Sequence, residues 1–503
     1  MRPAAKKLFY GQLVTEIGFR SPSEIGHEGN EVGVSRLVRR NSVALSTVPL
    51  VPETGLSRVR SIAAAALAVT TAAGILAAAS PASAATVKVI PAITGHIFAK
   101  TASAPLPTSQ CVAQIGIHCY SPLQYRVAYN LNPLYQHGIT GSGRTIVIVD
   151  SFGPPTIQSD LHVFDQQWGL PDTQVQVIKY GNVPAWDPTD PDQIGWSQEA
   201  TLDVQYAHAI APAAHIVLVE TGVSETEGVT GLPEMMDAEK YLIDHGVGDV
   251  ITQSFGATEN TFPGFDQGDF SSLLNLRYAF KDAEKHKVTV LGSSGDAGAT
   301  DYQSDGENLY PYPVQSWPSA DPLVTSVGGT QLTLDDQGHK VSPDVVWNDG
   351  YGAGGGGDSH VFARPSWQIG VRDVVGDHRG TPDISMSAAV DGGAWVYYSF
   401  DPSATNGNWH IFGGTSEASP IFSGIVAMAD QLAGRRLGNI NNALYLLGAT
   451  SQRTHLPTGL VDVTSGDISF EGVTGPSAAK GYDMASGWGT IDASKFIPAL
   501  ALL

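Results

Sequence analysis

The sequence predicts an α/β fold of three layers, in which helices cover both faces of a central, mostly parallel β-sheet. Short β-branched and apolar runs, several almost continuously apolar as in buried parallel strands, occupy residues 145–149, 215–219, 250–254, 288–292 and 323–327. Longer runs with helical character lie between them, at 159–168, 197–209, 233–245 and 270–285. The strand–helix–strand order implies right-handed crossovers and hence parallel pairing.

The composition supports a large folded enzyme-like chain and excludes several other classes. The 503 residues are 42% hydrophobic and only 15% charged, with nine Trp, 17 Tyr and 16 Phe. Disordered chains have the opposite balance of charged and aromatic residues. The net charge of −21 argues against nucleic acid and anionic membrane surfaces as partners, because phosphate groups are bound by clustered Lys and Arg.

Residues 58–84 have the order of a secretory signal peptide. Arg58 and Arg60 precede an uncharged run at 61–79, and the small residues PASA at 81–84 predict cleavage after Ala84. We therefore expect a secreted, extracellular protein with no membrane contact after cleavage. A membrane anchor is the alternative, but the run is mostly Ala and Thr and so only weakly apolar. Residues 1–57 are interpreted as an upstream mis-start or an unstructured leader.

The remainder of the chain reads as a linker followed by one domain. Residues 85–108, rich in Pro, Ala, Thr and Ser, predict a linker or a short pro-segment, and 109–503 contain no second linker and no internal repeat. Cys111 and Cys119, eight positions apart in an exported chain, predict a disulfide that closes a small loop. Zinc is disfavoured because His118 alone cannot complete a four-ligand site.

A serine lies at the predicted start of a helix near the C-terminus. Residues 413–420 read GGTSEASP, and an apolar-periodic run follows at 421–432. Ser416 would therefore lie where free N–H groups and the helix dipole favour a developing anion. The alternative is that Thr415 or Ser416 is only the N-cap of the helix.

Two further motifs carry carboxylates. In the segment GWSQEATLDV at 195–204, Glu199 and Asp203 share one helix face, so their titrations are coupled in the way that general acid–base catalysis uses. The alternative is an exposed acidic face. The segment LGSSGDAG at 291–298 predicts a strand that runs into a Gly-rich turn carrying Asp296, which is also a common turn residue.

Together, the three motifs resemble those of the sedolisins, the serine-carboxyl peptidases, which have a subtilisin-like fold with Glu in place of the catalytic His. The likeness extends over residues 125–497. It implies that Ser416 is the nucleophile and Glu199 its general base, with Asp203 orienting Glu199 and sharing its proton. Asp296 would be a protonated acid that donates to the oxyanion, so the resemblance also implies an acidic working pH.

The resemblance implies two further sites. The segments DVTSG at 462–466 and AKGYD at 479–483 look like the calcium site of the family. The ligands of one structural Ca²⁺ would be the Asp462 and Asp483 side chains and the carbonyls of Val463, Ala479 and Gly481. The family also uses the segment corresponding to Ser254, Phe255 and Gly256 to pair with the substrate backbone.

Two other interpretations were weighed. A subtilisin-type protease would need a His base, but neither His137 nor His245 is followed by the expected H-G-T-H pattern, and Asp150 is then best interpreted as structural. A catalytically inactive relative that acts as a binding protein would not need the four intact active-site residues.

The sequence therefore predicts a secreted, monomeric, calcium-stabilised serine endopeptidase that acts on polypeptides. The Gly-rich stretch 350–357 lacks the strand-to-helix context of a dinucleotide loop and is expected to be a mobile loop at the cleft. The family has a long propeptide, whereas only about 40 residues separate Ala84 from the region of likeness, so we expect folding without a full prosegment.

Overall fold

The computed structural model describes residues 90–91, 94–98, 104–223, 231–404, 408–454 and 456–503. The leader at 1–57 and the predicted signal peptide at 58–84 lie outside the described residues, as does most of the segment 85–103. Among the described residues, no helix combines the length and apolarity needed to cross a membrane.

Nineteen strands lie in the described part of the chain. They are β1 Ile90–Pro91, β2 Thr94–Phe98, β3 Cys119–Tyr120, β4 Thr145–Ser151, β5 Val175–Tyr180, β6 His215–Thr221, β7 Val250–Gln253, β8 Phe255–Thr258, β9 Thr289–Ser293, β10 Ser316–Trp317, β11 Thr325–Gln331, β12 Val345–Val346, β13 Gly357–Ala363, β14 His378–Thr381, β15 Ile384–Ser387, β16 Gly393–Tyr397, β17 Trp409–Gly413, β18 Leu460–Val461 and β19 Thr490–Ile491.

The described helices are α1 Thr108–Gln114, α2 Pro122–Ala128, α3 Asn132–Gln136, α4 Ile157–Trp168, α5 Pro191–Ile210, α6 Gly231–Asp244, α7 Ser271–Leu274, α8 Tyr278–His286, α9 Arg372–Val375, α10 Thr415–Ala433, α11 Asn441–Thr454 and α12 Ala493–Ala501. Short 3-10 turns lie at Glu259–Thr261, Phe265–Gln267, Asn275–Arg277 and Ser366–Val371.

An eight-stranded sheet forms the centre of the fold. Its order is β12-β11-β9-β7-β4-β6-β5, and β15 also pairs with β11. All its pairs are parallel except β11 with β12. A second sheet of four strands has the order β2-β17-β16-β3, and a third has the order β1-β8-β10. The predicted α/β fold with a mostly parallel sheet between helices is confirmed.

The predicted elements correspond closely to the observed ones. Each of the five predicted strands overlaps an observed strand of the central sheet, β4, β6, β7, β9 or β11. The predicted helix at 270–285 is instead divided into α7, a 3-10 turn and α8. The edge strand β5 was not predicted, because its residues alternate between partly buried and exposed positions and give no continuous apolar run.

Side chains that alternate along the strands of the central sheet pack into two separate hydrophobic cores, one on each face. In β4, Ile146 and Ile148 pack into the core that contains α5 and α10. Val147 and Val149 point to the opposite face and pack into the core that contains α6 and α8. Asp150, the next residue, is therefore carried to the carboxyl end of a buried strand, where ligands bind in sheets of this type.

Helix α5 is buried around most of its circumference, which is unusual for a segment with so many polar residues. From Trp196 to Ile210 every residue is buried. Several of its polar side chains are hydrogen-bonded: Gln198 donates to the Tyr398 hydroxyl at 3.1 Å and Gln205 to the Tyr397 carbonyl at 2.6 Å. These bonds offset the cost of burying polar groups and fix the helix against the small sheet.

The two cysteines are joined. Cys111 in α1 and Cys119 in β3 form a disulfide with their Cα atoms 6.0 Å apart, and both residues are completely buried. The bond ties the first helix of the domain to the edge of the four-stranded sheet.

A buried ion pair connects the sheet to the C-terminal loops. The guanidinium of Arg379 donates to both carboxylate oxygens of Asp383 at 2.8 and 2.6 Å, and both side chains are fully buried. Asp383 also accepts bonds from the Ser326 amide at 2.8 Å and the Tyr445 hydroxyl at 2.9 Å. Its own carbonyl accepts from the Trp488 amide at 2.9 Å, so β11, α11 and the C-terminal loop meet at this residue.

Replacing Arg379 with Leu is expected to lower the free energy of unfolding by about 3–5 kcal/mol, because it leaves the Asp383 charge buried without its partner. Urea unfolding measures the change. Arg372→Leu is the matched control: its partner Asp373 and Arg372 itself are both exposed, so a change within about 0.5 kcal/mol is expected. Equal effects of the two substitutions would contradict the assignment.

Candidate active site

The start of α10 positions Ser416. The strand β17 ends at Gly413, and the N-cap of the helix is Gly414, whose φ of 110° is a conformation that glycine adopts without strain. Ser416 is the second helical residue and is fully buried. The N-cap interpretation of Thr415 or Ser416 is therefore wrong, since neither residue is the cap.

The turn that carries Asp296 is attached to the same helix start. One carboxylate oxygen of Asp296 accepts bonds from the Thr415 amide and the Thr415 hydroxyl, both at 2.8 Å. The Gly295 amide lies 3.1 Å from the same hydroxyl. Asp296 is thus fixed beside Ser416, with Thr415 between them as the connecting residue.

The Gly-rich stretch 350–357 supports this turn from the other side. The Ala353 amide donates to the Asp296 carbonyl at 2.9 Å, and the Gly355 amide donates to the Gly295 carbonyl at 2.8 Å. A Cβ on Gly355 would lie 2.0 Å from the Ser294 carbonyl oxygen, so this close approach requires glycine. The expected mobile loop is, in its second half, a buried segment held by backbone hydrogen bonds.

The carboxylate pair on α5 faces the interior. Glu199 and Asp203 are both fully buried, so the alternative of an exposed acidic face is wrong. The Ser254 hydroxyl lies 3.0 and 2.8 Å from the two carboxylate oxygens of Asp203. The pair is therefore held between α5 and the end of β7, at the carboxyl edge of the sheet.

A third buried carboxyl accompanies the pair. Asp150 is fully buried at the end of β4, and its charge raises the pKa of both Glu199 and Asp203. Burial is the largest cause of the raised pKa of all three groups. For Glu199 the charge of Asp203 is the next cause, followed by Asp150, so these groups hold protons well above the pH at which free carboxyls lose them.

The structure brings Ser416 to this cluster. The Ser416 hydroxyl lowers the pKa of Glu199 as a hydrogen-bonding neighbour, and the Asp296 charge raises it. In the described part of the chain, neither the Ser416 hydroxyl nor the Glu199 carboxylate makes a hydrogen bond of standard geometry. The four predicted residues therefore converge from α5, α10 and the turn after β9, with the serine and glutamate adjacent but not yet in a close bond.

Two histidines considered as alternative bases lie elsewhere. His137 and His245 are exposed residues at the ends of α3 and α6, and their Nδ1 atoms lie 2.7 Å from the carbonyls of Pro133 and Tyr241. Neither contributes to the pKa of Glu199. The geometry does not support a histidine base drawn from these two residues.

The segment expected to bind substrate forms a sheet edge beside the cluster. Ser254 is buried against Asp203, and Phe255 and Gly256 begin β8. The chain's own β1 pairs with this strand in the antiparallel direction, with Ile90 opposite Gly256 and Pro91 opposite Phe255. The edge therefore accepts an extended polypeptide backbone.

The expected calcium ligands lie on two loops that contact each other. The Gly481 amide donates to Asp462 at 2.9 Å, and the Ala479 amide donates to Asp483 at 2.8 Å. In the described ranges, no group of three or more His, Cys, Asp or Glu side chains is placed to hold a metal. The two carboxylates and neighbouring carbonyls still fit a hard cation, which takes oxygen ligands.

Sequence reasoning missed three contributors to the site. Thr415 and Ala353 hold the Asp296 turn, and Asp150, interpreted as structural, acts electrostatically on the carboxylate pair. A carboxylate directly after a buried parallel strand was a usable signal for Asp150, because that position lies at the ligand-binding edge of the sheet. The backbone contacts of Ala353 have no signal in the sequence.

Comparison with known proteins gives a consistent picture. No protein-family model matches the chain. Kumamolisin from Bacillus sp. (strain MN-32) is 28% identical over 380 residues, covering 73% of this chain and 60% of that protein. Sedolisin from Pseudomonas sp. (strain 101) is 32% identical over 367 residues, covering 71% and 57%. Human tripeptidyl-peptidase 1 is 29% identical over 320 residues, covering 58% and 50%. The chain thus spans little more than half the length of these relatives.

A solved structure extends the likeness to three dimensions. Pseudomonas sedolisin, a serine-carboxyl proteinase complexed with two molecules of pseudo-iodotyrostatin, superposes with a TM-score of 0.63 at 29% identity. The match covers 76% of this chain and 98% of that one. In sequence, in fold and in the order of its motifs, the chain belongs to the sedolisin family.

Proposed function

We propose that the protein is a secreted serine-carboxyl endopeptidase that cleaves polypeptides at acidic pH. The observation that carries the proposal is that Ser416 lies beside the buried carboxyls of Glu199 and Asp203. No histidine is among the groups that act on the pKa of either carboxyl. The membership in the sedolisin family supports the same reaction class.

In the proposed mechanism Glu199 and Asp203 carry one proton between them, so the pair has one negative charge. The Ser416 hydroxyl oxygen attacks the scissile carbonyl carbon, and its proton passes to the ionised Glu199. Collapse of the tetrahedral intermediate breaks the C–N bond, and Glu199 returns the proton to the departing amine. Water then attacks the acyl carbon and gives a proton to Glu199. Cleavage of the bond between that carbon and Ser416 Oγ releases the new carboxyl end, and Glu199 returns the proton to Ser416. Asp203 shares a proton with Glu199 and keeps its orientation, and Ser254 fixes Asp203 from behind.

Stabilisation of the oxyanion is assigned to Asp296 and the start of α10. Only a protonated Asp296 can donate a hydrogen bond to the oxyanion, which requires acid. Thr415 fixes one of its oxygens and so sets the direction of the carboxyl group. The amides at the start of α10 add the partial positive charge of a helix N-terminus.

Ser416→Ala is expected to reduce hydrolysis of an acid-denatured protein substrate by about 10⁴-fold or more, because it removes the nucleophile. An N-terminally blocked substrate should still be cut by the wild type, which separates endopeptidase from tripeptidyl-peptidase action. Release of peptides is followed by mass spectrometry.

Ser423→Ala is the matched control for this measurement. Ser423 lies buried in the same helix and donates to the Pro420 carbonyl at 2.7 Å, away from the cluster, so activity should persist. Wild-type protein that is as inert as Ser416→Ala at every acidic pH would instead favour the inactive binding protein.

The stability of the protein is expected to be highest in acid. Burial raises the pKa of Glu239 to about 8 and of Glu259 to about 7, against about 4.3 for an unfolded glutamate. The folded state therefore holds protons that the unfolded chain releases, so the free energy of unfolding falls as pH rises from about 4 to 8. Urea unfolding at fixed pH values measures the trend, and Glu239→Gln should reduce it. A protein more stable at pH 8 than at pH 4 would refute the argument.

We further propose that one Ca²⁺ is held by Asp462, Asp483 and the carbonyls of Val463, Ala479 and Gly481. Its role would be structural, because it would neutralise two carboxylates and join the loops that carry them. No catalytic step is assigned to it.

Removing calcium with a chelator is expected to lower the melting temperature, since a ligand bound only to the folded state stabilises that state. Calorimetry with and without chelator measures the shift, and added Ca²⁺ should restore the original value. Asp462→Asn should melt at a lower temperature than the wild type in calcium and respond less to chelator. Identical melting curves with and without chelator would remove the metal from the proposal.

The segment 85–108 is proposed to act as a short pro-segment after the signal peptide is cleaved at Ala84. The pairing of β1 with β8 supports this, because β1 occupies the edge assigned to substrate. The proposal requires an exported precursor that begins at Ala85 and an active form that begins after Pro91. N-terminal sequencing of an active form that still contains Ile90 would exclude it.

A further inference from the structure

A buried carboxyl that the mechanism does not use lies directly beside the nucleophile. Glu417 follows Ser416 in the first turn of α10 and is fully buried. Neither Glu199 nor Asp203 is among the groups that act on its pKa. Its role therefore has to be sought among the groups that do act on it.

Glu417 adjoins four buried tyrosines, which we call the tyrosine cluster: Tyr120, Tyr125, Tyr129 and Tyr206. Each is fully buried, and the charge of Glu417 raises the pKa of all four. The rings contact one another, with centroids 5.9 Å apart for Tyr120 and Tyr125 and 5.7 Å apart for Tyr125 and Tyr206. The cluster joins α2, β3 and α5 to the start of α10.

Three of the four hydroxyls in the tyrosine cluster donate to backbone carbonyls, whereas the Tyr129 hydroxyl accepts from the Ser387 amide at 2.7 Å. Tyr120 donates to the Leu332 carbonyl at 3.0 Å, Tyr125 to Gly392 at 3.2 Å and Tyr206 to Trp395 at 3.0 Å. A neutral carboxyl can donate its own proton to a tyrosine oxygen, whereas a carboxylate can only accept. The acid form of Glu417 can therefore donate to the cluster, whereas the ionised form depends on the Tyr125 and Ser387 hydroxyls and the Ala394 backbone, none of which carries a positive charge.

The electrostatic surroundings agree with this. Burial raises the pKa of Glu417 to about 8, and the groups that lower it, the Tyr125 and Ser387 hydroxyls and the Ala394 backbone, are all neutral. Within the described residues, neither carboxyl oxygen has a hydrogen bond of standard geometry, and no charged group is among those that act on the pKa of Glu417. The N-terminal end of a helix favours a negative charge, but burial has the larger effect on Glu417.

We propose that Glu417 is a pH-dependent positioning residue: its neutral carboxyl, seated on the tyrosine cluster, holds the first turn of α10 and hence Ser416, and its ionisation releases that turn. The inference rests on the proposed role of Ser416 but concerns a different face of the helix. The backbone that Glu417 holds is also the one that carries Thr415 and, through it, Asp296. Loss of this turn would displace the nucleophile and the oxyanion acid together.

Hydrogen–deuterium exchange of a peptide spanning residues 413–425 tests the proposal without using activity. After correction for the intrinsic pH dependence of exchange, local opening in the wild type should increase by up to tenfold per pH unit from about pH 5 to 8. The Glu417→Gln side chain keeps its size and stays neutral. The rise in local opening with pH should therefore be smaller in this variant than in the wild type, by up to tenfold for each pH unit. Equal pH dependence in the two proteins would overturn the proposal.

Asp430→Asn is the matched control. Asp430 is a buried carboxyl of the same helix whose pKa is raised by burial to about 7, and it lies thirteen positions after Glu417, where it accepts from the Leu437 amide at 2.9 Å. This variant should open at 413–425 like the wild type. If it removed the pH dependence as fully as Glu417→Gln does, the effect would be global and the positioning role would be lost.

Two further readings keep the test decisive. Glu417→Met, also uncharged and of similar length, replaces the glutamine variant if that protein does not accumulate. In the wild type, exchange protection that is independent of pH up to 9 would by itself overturn the proposal. Wild type held at pH 8 and returned to acid should lose more activity than Glu417→Gln. Wild type that is inactive in acid from the start would refute the proposed peptidase function instead, and the exchange result would still stand.

Discussion

The structure depends on burying carboxyl groups without cations to neutralise them. Glu199, Asp203 and Asp150 meet at the carboxyl edge of the sheet. Burial raises the pKa of all three, the charge of Asp150 raises that of Asp203, and the charges of Asp203 and Asp150 raise that of Glu199. A cluster of this kind is tolerable only if protons are retained and shared, because isolated ionised carboxylates are far too costly in a protein interior. The same requirement supplies a general base and an acid in one place, so the constraint on folding and the proposed chemistry have one origin.

The fold uses a different device where a buried carboxylate has to stay ionised. Asp383 lies against Arg379, Tyr445 and the Ser326 amide, and the resulting network joins β11 to the C-terminal loops. Asp383, which is paired with a cation, joins structural elements, whereas Glu199, Asp203 and Asp150 lie near Ser416 and their pKa values are raised chiefly by burial. Perturbed groups of this kind are common at functional sites.

The surroundings of Ser416 suggest why its position is so strongly determined. Thr415 binds Asp296 on one side, Glu417 meets the tyrosine cluster on the other, and Ser419 lies 2.8 Å from the Thr252 hydroxyl at the end of β7. Three successive contacts thus tie the first turn of α10 to three different parts of the fold. The β8 edge beside it already accepts an extended strand of the chain itself, which is the backbone geometry that a peptide substrate presents.

The sequence by itself determined the fold class and supplied the residues for which catalytic roles are proposed. Apolar periodicity located β4, β6, β7, β9 and β11 because buried parallel strands are continuously apolar, and short motifs marked Ser416, Glu199, Asp203 and Asp296 because their chemistry needs those residue types. Only the tertiary structure decided that the acidic pair is buried, that Asp150 acts on it, and that Gly355 and Ala353 hold the oxyanion turn. Those properties arise from contacts between segments far apart in the chain, and burial, which sets the protonation of every acid in the site, exists only once the segments have packed.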